Sequence, residues 1–142
     1  MDKTVVRRVI VNRGQARQQM IDSTGRKQDI DKEVLETMPL QGTGIEEVDV
    51  YFFFPSRYLT IDEQEKKLAA AGLEPDYYAQ VQVNIDDPSF ADEHPNGAQW
   101  DNKDGQASYV AFYRYGGARS VRVHRRDRGW YGDWWFAGRK VS

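Results

Sequence analysis

Two glycines, Gly116 and Gly117, separate YVAFYRY (Tyr109–Tyr115) from ARSVRVH (Ala118–His124), and no other feature constrains the fold as tightly. Paired glycines accept the positive φ at both central positions that a two-residue hairpin turn needs. Both flanks alternate with the two-residue period of a strand. The predicted register sets Tyr115 opposite Ala118, Phe112 opposite Val121 and Val110 opposite Val123. Val110, Phe112, Val121 and Val123 then share one apolar face. Tyr109, Ala111, Tyr113, Ser120, Arg122 and His124 share the other.

The same punctuation recurs at NKDG (Asn102–Gly105) and RG (Arg128–Gly129), dividing the C-terminal third into four apolar-aromatic runs. They predict a β-meander over residues 98–141. A two-residue turn at Arg128–Gly129 would set Val123 opposite Trp134 and Val121 opposite Phe136, adding both rings to the apolar face. It would set Trp135 opposite Arg122, Asp133 opposite His124 and Tyr131 opposite Arg126. Trp100 is expected on that second face as well. The second face then combines Tyr109, Tyr113, Tyr131 and Trp135 with Arg122, His124 and Arg126. Such a face is either covered by a helix, with its arginines reaching the rim, or open for recognition. Exposed rings beside arginines form protein hot spots and can also stack nucleobases.

Upstream, TVVRRVIV (Thr4–Val11) reads as a strand. Asp29–Met38 reads as a short helix with Ile30, Val34, Leu35 and Met38 on one face, and residues 14–27 as a mobile stretch. VDVYFFF (Val48–Phe54) predicts a strand buried on both faces. Thr60-Ile-Asp-Glu63 fits a capping box that opens a helix ending at Gly72. Asp76–Ile85 alternates enough to predict another strand, and Asp86–Gly97 reads as a loop. At 142 residues, the chain is expected to be one α+β domain, residues 1–142. Its antiparallel sheet, mainly C-terminal, is expected to pack against one or two helices.

Cysteine is absent, which excludes disulfides and thiolate chemistry. The N-terminus lacks the apolar core of a signal peptide, and runs such as VYFFF are too short to span a bilayer. A soluble cytoplasmic location is expected. The net charge of −2 is unevenly placed. Leu68–Asn102 holds seven acidic residues and no Lys or Arg, whereas Lys103–Ser142 holds nine basic residues against three acidic. Two oppositely charged surfaces follow, facing either each other or a partner. Asp86, Asp87, Asp92 and Glu93 in the acidic loop are candidate partner contacts. The five arginines of Arg119–Arg128 would divide between the two strand faces, which weakens a continuous phosphate track.

Catalytic signals are sparse. His94 lies among carboxylates without any metal-ligand spacing, and an acidic surface loop is the simpler reading. His124 beside Asp133 would be an oriented imidazole, more simply a cross-strand pair. Gly42-Thr-Gly44 lacks the rest of a phosphate loop. No catalytic residue, cofactor or metal is assigned. The loop DEHPNG (Asp92–Gly97) and the ending WWFAG (Trp134–Gly138) resemble small uncharacterised proteins encoded in bacteria and their phages or plasmids. That resemblance implies a mobile-element accessory role, including inhibitors of host defence, and no activity. The leading expectation is a non-enzymatic module that binds a protein through the acidic loop and the aromatic-arginine face. The second is a single-stranded nucleic-acid-binding protein using the aromatic-arginine face, and the third a small metal-dependent hydrolase.

Overall fold

The computed structural model describes residues 3–101, 106–126 and 128–141. In chain order they form β1 (Lys3–Asn12), α1 (Arg17–Ser23), β2 (Lys27–Ile30), α2 (Lys32–Leu35), β3 (Ile45–Phe54) and α3 (Ile61–Ala70). There follow β4 (Leu73–Glu74), α4 (Tyr77–Asp86), α5 (Phe90–Glu93), β5 (Asn96–Asp101), β6 (Ala107–Tyr115), β7 (Ala118–Arg125) and β8 (Trp135–Lys140). The class is α+β, with one sheet of eight strands in the order β1-β3-β8-β5-β6-β7-β2 and β4 set against β8. β5 with β8 and β2 with β7 are parallel. The other pairs are antiparallel.

Alternation sorts side chains onto the two faces of this sheet. Val48, Val50 and Phe52 of β3, Val110 and Phe112 of β6, and Val121 and Val123 of β7 point to one face. There they meet Met20 and Ile21 of α1, Val34 and Leu35 of α2, and the buried residues of α4. Phe53, Tyr109, Ala111 and Phe136 point to the other, beside Leu59, Leu68, Leu73 and Trp130. Each large apolar side chain fully withdrawn from water contributes roughly 1.5–3 kcal/mol. The first face carries the larger core, with nearly all the buried aliphatic side chains and several rings among them (the aliphatic face), and the second a smaller core built mainly of rings (the aromatic face).

The hairpin at Gly116–Gly117 has the predicted register, with Tyr115 opposite Ala118, Phe112 opposite Val121 and Val110 opposite Val123. Both glycines have positive φ, +59° and +81°, as a two-residue turn of this type requires. Thr60 and Glu63 form the full capping box of α3. Residues 14–27 hold α1, whose Met20 and Ile21 are buried. Of the helix expected over Asp29–Met38, only Lys32–Leu35 is helical. Asp31 caps it, and Lys27–Ile30 is strand β2.

Three expectations are corrected. First, Asp76–Ile85 is helix α4 rather than a strand. Asp76 is its N-cap, accepting from the Ala79 amide at 3.1 Å. Tyr77, Tyr78, Ala79, Gln80, Val81, Val83 and Asn84 are all buried, so no polar stripe marks the helical period. Second, the expected loop Asp86–Gly97 contains α5 and the start of β5. Third, the meander stops after β7. β8 runs parallel to β5 and lies between β5 and β3, so residues 128–134 cross over the sheet instead of turning back. Midway, Trp130 and Leu59 exchange both backbone hydrogen bonds, 2.7 and 3.0 Å. Trp130 is fully buried over Gly97, where a Cβ would stand 2.4 Å from the ring.

This crossover inverts the expected faces of β8. Trp135 lies on the aliphatic face, while Phe136 and Trp134 lie on the aromatic one. Trp100 also changes sides. Asp101 pairs with Ala107, which sets Trp100 opposite Ser108 and so on the face of Val110 and Phe112; a one-residue change of register exchanges faces. The NKDG turn itself lies outside the described residues.

α4 is fastened by charge. Arg13 donates to both carboxylate oxygens of Asp76 at 3.0 and 2.7 Å, and both side chains are 0% exposed. Glu46 bridges Arg13 and Arg139, and Arg139 reaches Asp76 at 3.3 Å. Burial pulls the Arg13 pKa down, but the hydrogen bonds to Asp76 and Glu46 outweigh it and raise the pKa. Among the described residues no helix is long and apolar enough to cross a membrane.

Candidate binding cleft

The aromatic face is only partly covered. α3 and the crossover lie over β3, β8 and β5, and toward β6 and β7 a cleft of about 310 Å³ stays open. Its walls are Tyr109, Ala111, Tyr113 and Tyr115 of β6, Arg122 of β7, Arg126 immediately after β7, and Trp134 of the crossover. The β6 contributors are every second residue of one strand, so alternation alone aligns them. Trp134 meets Tyr113 edge-on at 6.1 Å and Trp130 at 5.2 Å, so a buried ring props up a half-buried one. Tyr115 is 78% exposed at the outer end.

The cleft's arginines are held by the protein. Arg126 stacks 4.1 Å from the Trp130 ring centre and 4.9 Å from that of Tyr109. It donates to the carbonyls of Arg128 and Gly129 at 2.8–3.1 Å. Burial lowers its pKa, and its carbonyl partners carry no net charge to offset its own. Burial likewise raises the Tyr109 and Tyr113 hydroxyls above their ordinary values. At the β2 edge, Asp29 lies between Arg122 Nε at 3.2 Å and His124 Nε2 at 2.7 Å. His124 is therefore held by Asp29, not by the expected Asp133.

Of the expected recognition residues, Tyr109, Tyr113, Arg122 and Arg126 line the cleft, and His124 stands beside it through Asp29. Tyr131 is exposed nearby, edge-on to Tyr58 at 6.0 Å. Trp135 is not part of the cleft. It stacks on Phe54 at 4.9 Å and meets His94 at 4.7 Å on the opposite face. Its place is taken by Trp134. The pattern WW announces two rings of opposite orientation, and only the strand's register says which points where.

The acidic loop lies on the far side of the sheet from the cleft. Asp92 pairs with Arg114 at 3.2 Å and with Arg119 at 2.9 Å. Hydrogen bonding from Arg119, with the charges of Arg119 and Arg114, holds its carboxyl below the usual range. Asp86 accepts from Gln82 and Asp87 from Ser89, and Glu93 is exposed. The acidic middle and the basic end therefore meet at Asp92 within the chain.

Chemistry is weakly provided for. Among the described residues no group of three or more His, Asp or Glu is placed to hold a metal. His94 is stacked on Phe90 at 4.7 Å and bonded to its carbonyl at 3.3 Å. Ser120 shares a strand with His124, but four strand residues separate their Cα atoms by roughly 13 Å. A second recess, of about 380 Å³, lies between α3 and β5, with Tyr77 and Trp100 among its walls and Glu65, Glu74 and Asp101 at its rim. Comparison with family models, with curated proteins and with solved structures found no match.

Proposed function

We propose that this protein is a non-enzymatic binding module that holds a protein partner in the Tyr109–Tyr113–Tyr115–Trp134 cleft. The occupant is an apolar or aromatic side chain next to a carboxylate. The observation that carries this reading is the commitment of the cleft's arginines. Arg122 is tied to Asp29 and Arg126 to rings and carbonyls, so neither is arranged along a phosphate backbone. Arg126 leaves one positive charge without an acidic counterpart among the cleft walls, which suits a single carboxylate beside an apolar anchor. Flat rings around an apolar recess are what a protein hot spot uses. An accessory or inhibitory role toward a larger protein is in keeping with such a module. The acidic loop, turned away and internally paired at Asp92, is secondary here.

Panning a random peptide library on the intact protein, with counter-selection on Trp134→Ala, tests the reading. Enriched peptides should carry an aromatic or aliphatic residue next to Asp or Glu. Their affinity should fall about tenfold or more for Trp134→Ala and less than about twofold for Asp92→Ala. Labelled single-stranded DNA and RNA serve as comparators at low and moderate salt. Oligonucleotide binding that weakens steeply with salt, without peptide enrichment, would overturn the proposal in favour of nucleic acid.

A further inference from the structure

The two ends of the sheet are built differently. β2 is a four-residue edge strand, whereas β1 is ten residues long and pairs with β3 without interruption from Lys3–Phe54 to Asn12–Ile45. Among the described residues no strand pairs with the outer edge of β1, and seven of its ten residues are exposed. α4 packs on one face of β1, burying Val9 and Val11, while Thr4, Val6, Arg8 and Ile10 on the other face are exposed. Long edges are usually blunted by proline, a bulge, a covering element or unpaired charge. β1 contains no proline, and its register shows no bulge. Its charges are largely absorbed: Arg8 is bonded to Asp49 at 2.8 Å and Glu47 at 3.1 Å, and Arg7 lies over the Phe90 ring at 5.1 Å.

We infer that β1 pairs antiparallel with β1 of a second copy about a two-fold axis at Arg8, joining two sheets edge to edge. The sequence of the strand selects the occupant and the register. A two-fold axis perpendicular to a sheet keeps each residue on its own face, so one residue must oppose itself. Centred on Arg8, the pairing sets Val6 opposite the partner's Ile10 and Val5 opposite the partner's Val11. Val6 and Ile10 are 43% and 64% exposed in the single copy, and this register covers both twice. The central arginine is then the one that brings two carboxylates with it. Centring on Arg7 would instead set Val6 against Arg8 and Thr4 against Ile10, and would oppose two Arg7 side chains that are held by the Phe90 ring and the Val6 carbonyl rather than by carboxylates. A single edge of this length buries a small area, so the dimer should be reversible.

The absence of cysteine makes the test direct. Single cysteines are placed at each position from 4 to 12 in the full chain and oxidised mildly. Directly opposed strand residues are within disulfide reach, so disulfide dimers should peak at Arg8→Cys. Sedimentation of the unmodified protein from micromolar to near-millimolar concentration should show monomer and dimer. Ile10→Lys and Val6→Lys should each weaken the dimer about tenfold or more. Both sites are exposed, and unchanged circular dichroism will show that the fold survives. A monomer at every concentration, a cross-linking peak at Arg7, or a dimer indifferent to Ile10→Lys would each overturn the inference. None of these outcomes bears on peptide binding in the cleft.

Discussion

Arg13 on one face of the sheet and Arg126 on the other are stabilised in different ways; a third arginine, Arg26, is buried over Phe112 and held by carbonyls. On the aliphatic face Arg13 is fully withdrawn from water and answered by carboxylates, Asp76 and Glu46. On the aromatic face Arg126 is answered by the Trp130 and Tyr109 rings and by neutral carbonyls. A charge fully sealed from water, as Arg13 is, is costly without a counter-charge. A charge at the lip of an open cleft can be held by ring quadrupoles and amide dipoles while water supplies the rest. The sealed face is thereby a fastening point, where α4, β3 and β8 meet. The open face keeps a positive charge that can still act on something outside.

The largest effect should come from breaking the sealed pair. Asp76→Ala removes the carboxylate that Arg13 faces and the cap of α4, leaving Glu46 as the remaining acidic partner of Arg13. A loss of about 3–5 kcal/mol is expected. Arg126→Ala should cost only about 1–2 kcal/mol, the worth of a stacked, hydrogen-bonded cation near solvent. Urea unfolding of both variants measures the contrast. Equal losses would mean that the cleft arginine is as deeply structural as the buried one.

A middle-sized effect sharpens the comparison at the boundary of the cleft. Gly97 has no side chain because the Trp130 ring lies against it; an added Cβ would stand 2.4 Å from two ring atoms. Gly97→Ala should destabilise by about 1–3 kcal/mol through overpacking. Displacing Trp130 should also loosen Trp134 and Arg126, which lean on it. Thermal unfolding and tryptophan fluorescence would both register this. A variant with native stability and an unchanged spectrum would show that the crossover does not organise the cleft.

The sequence made the β6–β7 hairpin, the α3 capping box and the β1 and β3 strands legible, because each carries a local signal of period, cap or turn. It misled where a long-range event decided the outcome. The Asp76 cap was present in the sequence, but burial of α4 on nearly every side removed the polar stripe that identifies a helix. At β8 the Arg128–Gly129 pair mimics a hairpin turn. The strand finds its partners in β3 and β5 instead, and the change of partner exchanged Trp134 for Trp135 in the cleft. Trp100 moved for a parity reason: Asp101 pairs with Ala107, which sets Trp100 beside the even-numbered residues of β6. The aromatic-arginine face itself survived these errors because Tyr109, Tyr113, Arg122 and Arg126 follow from the one turn that was unambiguous. Asp29, which orders Arg122 and His124, lies nearly a hundred residues upstream and left no local signal.

The smallest effect concerns that Asp29 rim. Its carboxyl is held below the usual range first by the hydrogen bond with His124, which outweighs the opposing effect of burial, and then by the charges of His124 and Arg122. A carboxyl lowered on folding contributes stability that is fully present above its unfolded value, near pH 4. That contribution is lost as pH falls through the lower folded value. Asp92, lowered mainly by Arg119, and Glu46, lowered mainly by Arg139, have the same sign. Stability should therefore decline as the pH drops below about 4, and the gap between the native protein and Asp29→Asn should narrow as it does. Because Asp29 is more than half exposed, the narrowing will be slight in unfolding curves. Carboxyl titration by NMR resolves it better: Asp29 should titrate below the ordinary aspartate value, and His124→Ala should raise its midpoint. If His124→Ala leaves the midpoint where it was, Arg122 alone orders the rim. The cleft then carries one arginine committed to Asp29 wherever that carboxyl is ionised, and its remaining attraction for a carboxylate rests on Arg126.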